Sequence, residues 1–254
     1  MKYKNTIYQQ QRGDFDGMYN LLTDNAIKSL TINSAEIKKM RPHHDRLFLL
    51  KYLIDLNKDK YLEGSKEFFE ASISSLIECF LQISLGRYRT AYVLFRSSLE
   101  ALCGGIYFEV FAKEPGEKFS NNVDQIIKEI IISHTIGKSK RQKKDFKSTV
   151  NEYIYQSVKQ SLYWKLSDYV HSLKRSYLNS EEYLEDILKV SENFNQHEFE
   201  NTLIIFEDLL NNLLVLILIS DYEFYFKENR ESVLLTLYRL SESQKAFIEE
   251  WHAI

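Results

Sequence analysis

The chain has 254 residues, 44% of them hydrophobic and 14% aromatic, and 33 Lys and Arg against 36 Asp and Glu give a formal net charge of −3. This is enough chain for one large domain or two small ones with a sizeable core, which excludes disorder over most of the length. The near-balanced charge excludes a basic footprint spread over the whole molecule, so any nucleic-acid function rests on a local patch.

Only 2 prolines and 8 glycines occur, which favours long helices over many-turned β architectures. Cys79 and Cys103 fall inside apolar helical patterns. They read as buried thiols in a reducing compartment, with no disulfide framework. The opening MKYKNTIYQQQRGDFDG lacks the apolar core of a signal peptide. The longest uninterrupted apolar run, Leu213 to Ile219, falls short of the roughly 20 residues a bilayer span needs. A cytoplasmic protein without membrane association is expected.

Residues 1–60 read as a less regular N-terminal helical segment. Within it, Ser34 to Lys39 forms a short helix capped by Ser34. Asp45 to Asn57 is helical, with Leu47, Leu50, Leu53 and Ile54 on its apolar face. His43 and His44 sit in the preceding turn, where adjacent side chains on an extended segment point apart, so a surface pair without a role is expected.

A helical bundle with a C-terminal helical extension is expected over 61–254. Ser65 to about Leu85 is a strong helix, with Phe68, Phe69, Ser72, Ile73, Leu76, Ile77, Phe80 and Ile83 as its buried stripe. Leu85-Gly86-Arg87 is a turn, and a second strong helix runs from about Tyr88 to Ala112, making an antiparallel hairpin. Asn122 to about Ile132 is an isoleucine-rich helix. Tyr153 to Arg175 is a helix carrying His171, and Ser180 caps another. Glu198 to about Lys227 reads as the central buried helix, and Glu231 to Trp251 as a final amphipathic one.

Three groups of residues carry potential chemistry. Lys138, Lys140, Arg141, Lys143, Lys144 and Lys147 form a basic run able to neutralise phosphates or to serve only as a solvated helix start. Arg96 and Glu100, at i and i+4, can pair directly, either as an ordinary helix salt bridge or as a partly buried functional pair. In Tyr163-Trp-Lys-Leu-Ser-Asp-Tyr-Val-His171, Leu166, Tyr169 and Val170 can anchor a helix while Ser167, Asp168 and His171 share a more polar face. A histidine so held can move a proton near neutral pH or be a satisfied structural residue. The histidines are scattered and no metal-ligand spacing is present.

The pattern Ala-Tyr-x-Leu-Phe-Arg96-Ser-Ser-Leu-Glu100-Ala-Leu, followed by Tyr-x-x-Leu-Ser-x-Tyr-Val-His171-Ser, resembles the HEPN superfamily over roughly residues 65 to 225. The likeness is to HEPN-like proteins of bacterial abortive-infection and related defence systems. It implies an all-α antiparallel helical bundle, often a homodimer, and in many members a metal-independent ribonuclease or toxin with no cofactor. It also implies RNA as substrate and an antitoxin or another defence-system protein as partner. The family signature sets an arginine and a following polar residue a few positions before a histidine. His171 matches the histidine, and Lys165 with Leu166 stand where the arginine and polar residue are expected. On the resemblance, His171 is the general acid or base, Lys165, Arg96, Glu100 and Asp168 complete the catalytic set, and Lys138 to Lys147 bind RNA. The alternative implication is a non-catalytic HEPN-like module that serves as a binding scaffold.

Overall fold

With one of its two prolines, Pro42, in the first turn of a helix and the other, Pro115, in a loop, little in this chain interrupts long helices. The computed structural model describes residues 2–24, 31–137, 139–171 and 194–253, with side chains over 7–24, 31–137, 139–170 and 194–249. Eleven α-helices and no strand lie among the described residues. They are α1 Lys2–Leu22, α2 Ser34–Lys39, α3 Arg41–Leu56, α4 Glu63–Ser84, α5 Tyr88–Phe111 and α6 Phe119–His134. Then follow α7 Lys140–Tyr153, α8 Lys165–His171, α9 Gln196–Ser220, α10 Arg230–Leu237 and α11 Glu242–Ala253. A π-helix, Ile154–Trp164, joins α7 to α8, a second, Glu223–Glu228, follows α9, and a single 3₁₀ turn, Lys58–Lys60, follows α3. The all-α bundle is as expected.

The α4–α5 hairpin is the frame. Gly86 takes φ +65° at its turn, a conformation that favours glycine. Further along, the Ser72 hydroxyl donates to the Ser98 carbonyl at 2.8 Å. The helices then close on each other where Gly104 and Gly105 face Phe68 and Phe69. A Cβ at these glycines would lie 2.9 and 2.6 Å from the rings. Ile77, expected in the buried stripe, is 56% exposed, and it lines a pocket with Lys51 and Ile54 of α3.

Helix α9 fills the centre, and every residue from Leu209 to Ile219 is buried. It is long and apolar enough to cross a membrane, but 78% of its most apolar window is buried by the rest of the chain. One hydrophobic cluster extends from Ile7 to Ile248 and so includes residues from both expected segments.

Several local expectations change. The N-terminal stretch is a long helix, α1. The cap of α2 is Asn33, whose Oδ1 accepts from the Glu36 N–H at 3.1 Å, and Ser34 is already helical. Helix α3 starts at Arg41, so His43 and His44 belong to its first turn, and both are buried. The last amphipathic stretch divides into α10 and α11. Buried Leu240 pulls the chain inward there, and Ser241 and Gln244 start a new helix, each side chain bonding the other's backbone N–H. The expected helix at Ser180 and the end of the His171 helix lie outside the described residues.

From Lys140 to His171 the helix is unbroken. Ser139 and Gln142 form its capping box. Its buried apolar residues are Phe146, Val150, Ile154, Val158, Leu162 and Leu166, one every four positions, and Lys159 is buried beside them, paired with Asp124 of α6. On an α-helix a four-residue step overshoots a full turn by about 40°, so this stripe would rotate off the core within a few turns. The π segment winds more slowly and brings it back. The rod keeps one face inward along its length.

Candidate functional site

Helix α8 lies antiparallel to α5. Tyr169 stacks on Tyr92 with ring centroids 4.3 Å apart, and the Tyr92 hydroxyl bonds the Thr202 hydroxyl of α9 at 2.9 Å. Leu166, fully buried, pins the same helix from below. Two of the expected anchors, Leu166 and Tyr169, thus hold α8 in place.

One turn earlier, Tyr163 meets Arg96 and Glu100. The Arg96 Nε donates to Glu100 Oε1 at 2.9 Å, and its Nη2 donates to the Tyr163 hydroxyl at 3.2 Å. That hydroxyl donates in turn to Glu100 Oε1 at 3.2 Å. The guanidinium carbon also lies 5.2 Å from the Tyr163 ring centroid, and the ring stacks on Phe119 of α6 at 4.1 Å. Burial alone would lower the Arg96 pKa, but the hydrogen bond and charge of Glu100 carry it upward. Burial, then the Glu100 charge, raises the Tyr163 phenol. The three residues bond one another and, with Phe119, tie α5, α6 and the rod together.

Lys165 is exposed and its charge reaches Asp208 of α9. Burial raises the Asp208 carboxyl, opposed by Lys165 and by the Asn212 amide, which donates to it at 3.0 Å. Asp168 is exposed. Residue 171 ends α8, and its imidazole lies outside the described residues. Lys165 and residue 171 are about 9 Å apart along the axis and about a third of a turn apart around it. Arg96 meets the rod at Tyr163, about 12 Å along the axis from residue 171.

The basic run starts α7. Lys140, Lys143, Lys144 and Lys147 are all exposed and fall at i, i+3, i+4 and i+7, on one face. Arg141 lies off that face, with Asp145 at 3.8 Å. Lys138 lies outside the described residues. The first turn of α7 has no acidic residue, so its cations oppose the helix dipole. Lys147 and residue 171 lie toward opposite ends of the rod, on the order of 35 Å apart. Screening at physiological salt has a length of about 8 Å, so the stripe exerts no direct field on chemistry at residue 171.

A second polar centre had no local signal. Arg46 of α3, 12% exposed, donates from Nε to Asn211 at 2.9 Å and from Nη2 to Glu207 at 2.5 Å. It also donates to the carbonyls of Pro42 at 3.0 Å and Arg239 at 3.1 Å. Burial, opposed by Glu207, lowers its pKa. His43 bonds the Leu203 carbonyl at 3.0 Å and stacks on Phe206 at 5.8 Å, and burial lowers its pKa. His44 bonds Asp14 at 2.8 Å. These contacts explain the polar residues inside α9: Glu207 and Asn211 serve Arg46, while Asp208 and Asn212 face the rod, with the Tyr153 hydroxyl donating to Asn212 at 2.9 Å.

Among the described residues, no group of three or more His, Cys, Asp or Glu is placed to hold a metal ion. No protein-family model, curated protein or solved structure matches the chain.

Proposed function

We propose that the chain is an RNA-directed helical-bundle protein of the HEPN-like type, acting as a metal-independent endoribonuclease with His171 as its proton-transfer group. The observation that carries the RNA reading is the lysine face of α7. Four exposed ammonium groups on one face, set against the helix dipole, are unfavourable for the isolated helix and favourable only beside an anion. In RNA the 2′-hydroxyl is the nucleophile, and an imidazole takes or returns its proton. A cation must meet the charge growing on the phosphoryl oxygens. Lys165, on the same short helix, is the nearest candidate, acting as a point charge and not a bidentate fork. Two copies of the chain would supply two such helices, and a role in phage defence or stress response, held in check by a partner protein, accords with the resemblance.

The second reading is a non-catalytic RNA- or partner-binding module. It is favoured by the bonding of Arg96 with Glu100 and Tyr163, in which the guanidinium is already engaged by a carboxylate and a phenol. The deciding experiment is RNA cleavage in EDTA by wild type and His171→Ala. Cleavage by wild type alone, leaving 2′,3′-cyclic phosphate ends, is expected. Equal cleavage by both proteins refutes the role of His171, and intact RNA with both moves the reading to the module.

A further inference from the structure

The period-four stripe that holds the rod to the core also fixes what the flank about a third of a turn away carries. Winding about 100° per residue through α7 and α8 and about 80° through the π segment places Lys140, Lys144, Lys147, Tyr155, Trp164 and the Cα of residue 171 within an arc of about 60°. On an uninterrupted α-helix, Tyr155 and Trp164, nine residues apart, would face opposite sides. Here their rings meet edge to face, with centroids 5.9 Å apart and planes at 85°. They are 49% and 45% exposed, so ring surface on both is open to solvent. The same winding puts Lys159 in this arc, 8% exposed and paired with Asp124 of α6, so the arc runs along the edge of α6. Cations thus occupy one end of this flank, two open aromatic rings its middle, and the Cα of residue 171 its far end.

We propose that this face is a track for single-stranded RNA, with phosphates on the lysines and bases stacked on Tyr155 and Trp164. The proposal rests on the RNA reading above and specifies its substrate as unpaired. Charge complementarity selects a polyanion. The rings select one whose flat bases are free, because a duplex buries those faces in its own stack and presents only backbone and base edges to a convex helix. The track also supplies what the screened lysines cannot: a strand held at one end of the rod is led along about 35 Å of helix to residue 171. A single-stranded binding site of this length falls within the usual 4 to 16 nucleotides, on the order of ten.

The test uses the full chain carrying His171→Ala, so that RNA survives the titration, and a fluorescein-labelled RNA of about 12 nucleotides without self-complementarity. Anisotropy should report binding, with a slope of log K against log salt near −2.1, about 0.7 for each of Lys140, Lys144 and Lys147. Trp164→Ala and Tyr155→Ala should each weaken binding about five-fold or more, and Trp164→Phe should restore most of it. RNA should quench tryptophan fluorescence, and the quench should vanish in Trp164→Ala. Both rings are surface residues, so these variants leave the core intact.

Equal affinity for the same sequence as a duplex overturns the proposal. So does unchanged affinity in both aromatic variants, which would reduce the face to a charge patch. Binding to vesicles of phosphatidylserine and phosphatidylcholine in place of RNA overturns it too and assigns the face to a lipid surface. The same substitutions in a chain with native His171 separate the two readings. Cleavage unaffected by loss of the rings sinks the track alone, whereas an absence of both binding and cleavage sinks the RNA reading with it.

Discussion

Removing the Arg96 guanidinium should cost stability before it costs chemistry. The Arg96–Glu100 pair spans i, i+4 with side chains 22% and 40% exposed, a geometry worth about 0.5 kcal/mol. Its contact with the Tyr163 ring adds about 1 kcal/mol in a partly desolvated site. The bond from Nη2 to the Tyr163 hydroxyl adds a further 0.5 kcal/mol or so. Arg96→Ala is therefore expected to lose about 2 kcal/mol, which for a chain of this size lowers Tm by about 4–8 °C. Arg96→Lys keeps the charge but not the planar fork and should lose about half as much. A double-mutant cycle with Tyr163→Phe should give a coupling near 1 kcal/mol. Thermal melts followed by circular dichroism measure all of these, and cleavage is measured in parallel. An unchanged Tm in Arg96→Ala, with no coupling to Tyr163, would refute the brace. A fall in cleavage of about 100-fold or more at unchanged Tm would instead place Arg96 at the reacting phosphate.

Four other substitutions probe the rest of the molecule. Burial lowers the His43 pKa from 6.5, with Glu207 and Arg46 as its charged neighbours. Below pH 6.5 the unfolded chain takes up a proton that the folded chain refuses. Stability should therefore drop on acidification toward the lowered folded pKa, by at most about 1.4 kcal/mol per pH unit from this group, and His43→Gln should remove that component of urea melts at pH 7 and 5.5. Arg46→Met leaves Glu207 and buried Asn211 without their partner. Because Glu207 is 45% exposed, the loss should sit at the lower end for broken buried pairs, about 3 kcal/mol, seen as a shift in urea midpoint at constant m. Gly105→Ala forces a methyl into the Phe69 ring and should cost about 1–3 kcal/mol, whereas Gly13→Ala on α1 meets nothing within 4 Å and should gain about 0.5–1 kcal/mol in the same melts.

The elements legible in the sequence were those whose apolar side chains mark one continuous face. Helices α4, α5 and α9 bury long stripes, and their periodicity reads directly. Helix α1 does not read that way: along with Ile7, Phe15 and Leu22, its inward positions include Gln11, whose amide donates to the Asp45 carbonyl at 3.2 Å. A polar residue at a core position hides the stripe, because its partner lies 34 residues away. The same holds for His43, Arg46 and Tyr163, whose partners lie 160, 161 and 67 residues away. In the candidate site, the Arg96–Glu100 pair was legible from its spacing. Tyr163 as its third member was not, since only tertiary packing brings the rod beside α5.

One signal for the rod was present and decides more than the helix itself. Phe146, Val150, Ile154, Val158, Leu162 and Leu166 repeat every four residues, a period longer than that of an α-helix. An α-helix could bury only part of that stripe, and a heptad pattern would wind the other way. Burying all six requires residues wound more loosely than α, which is where the π segment falls. The cost is a poorer helix geometry, offset by a core face that never rotates to solvent. What the core fixes on one side, the solvent side inherits. Through the mixed winding, Lys140, Lys144, Lys147, Tyr155, Trp164 and the Cα of residue 171 stay near one azimuth over a length at which an ordinary helix would scatter them. Shortening the π segment by deleting Gln160, an exposed residue within it, would turn everything beyond it by about 80°, taking Trp164 away from Tyr155 and Leu166 off the core. Alanine at the same site preserves the winding. If the deletion and the alanine variant melted and bound RNA alike, the phase of the rod would have no bearing on either its packing or its face.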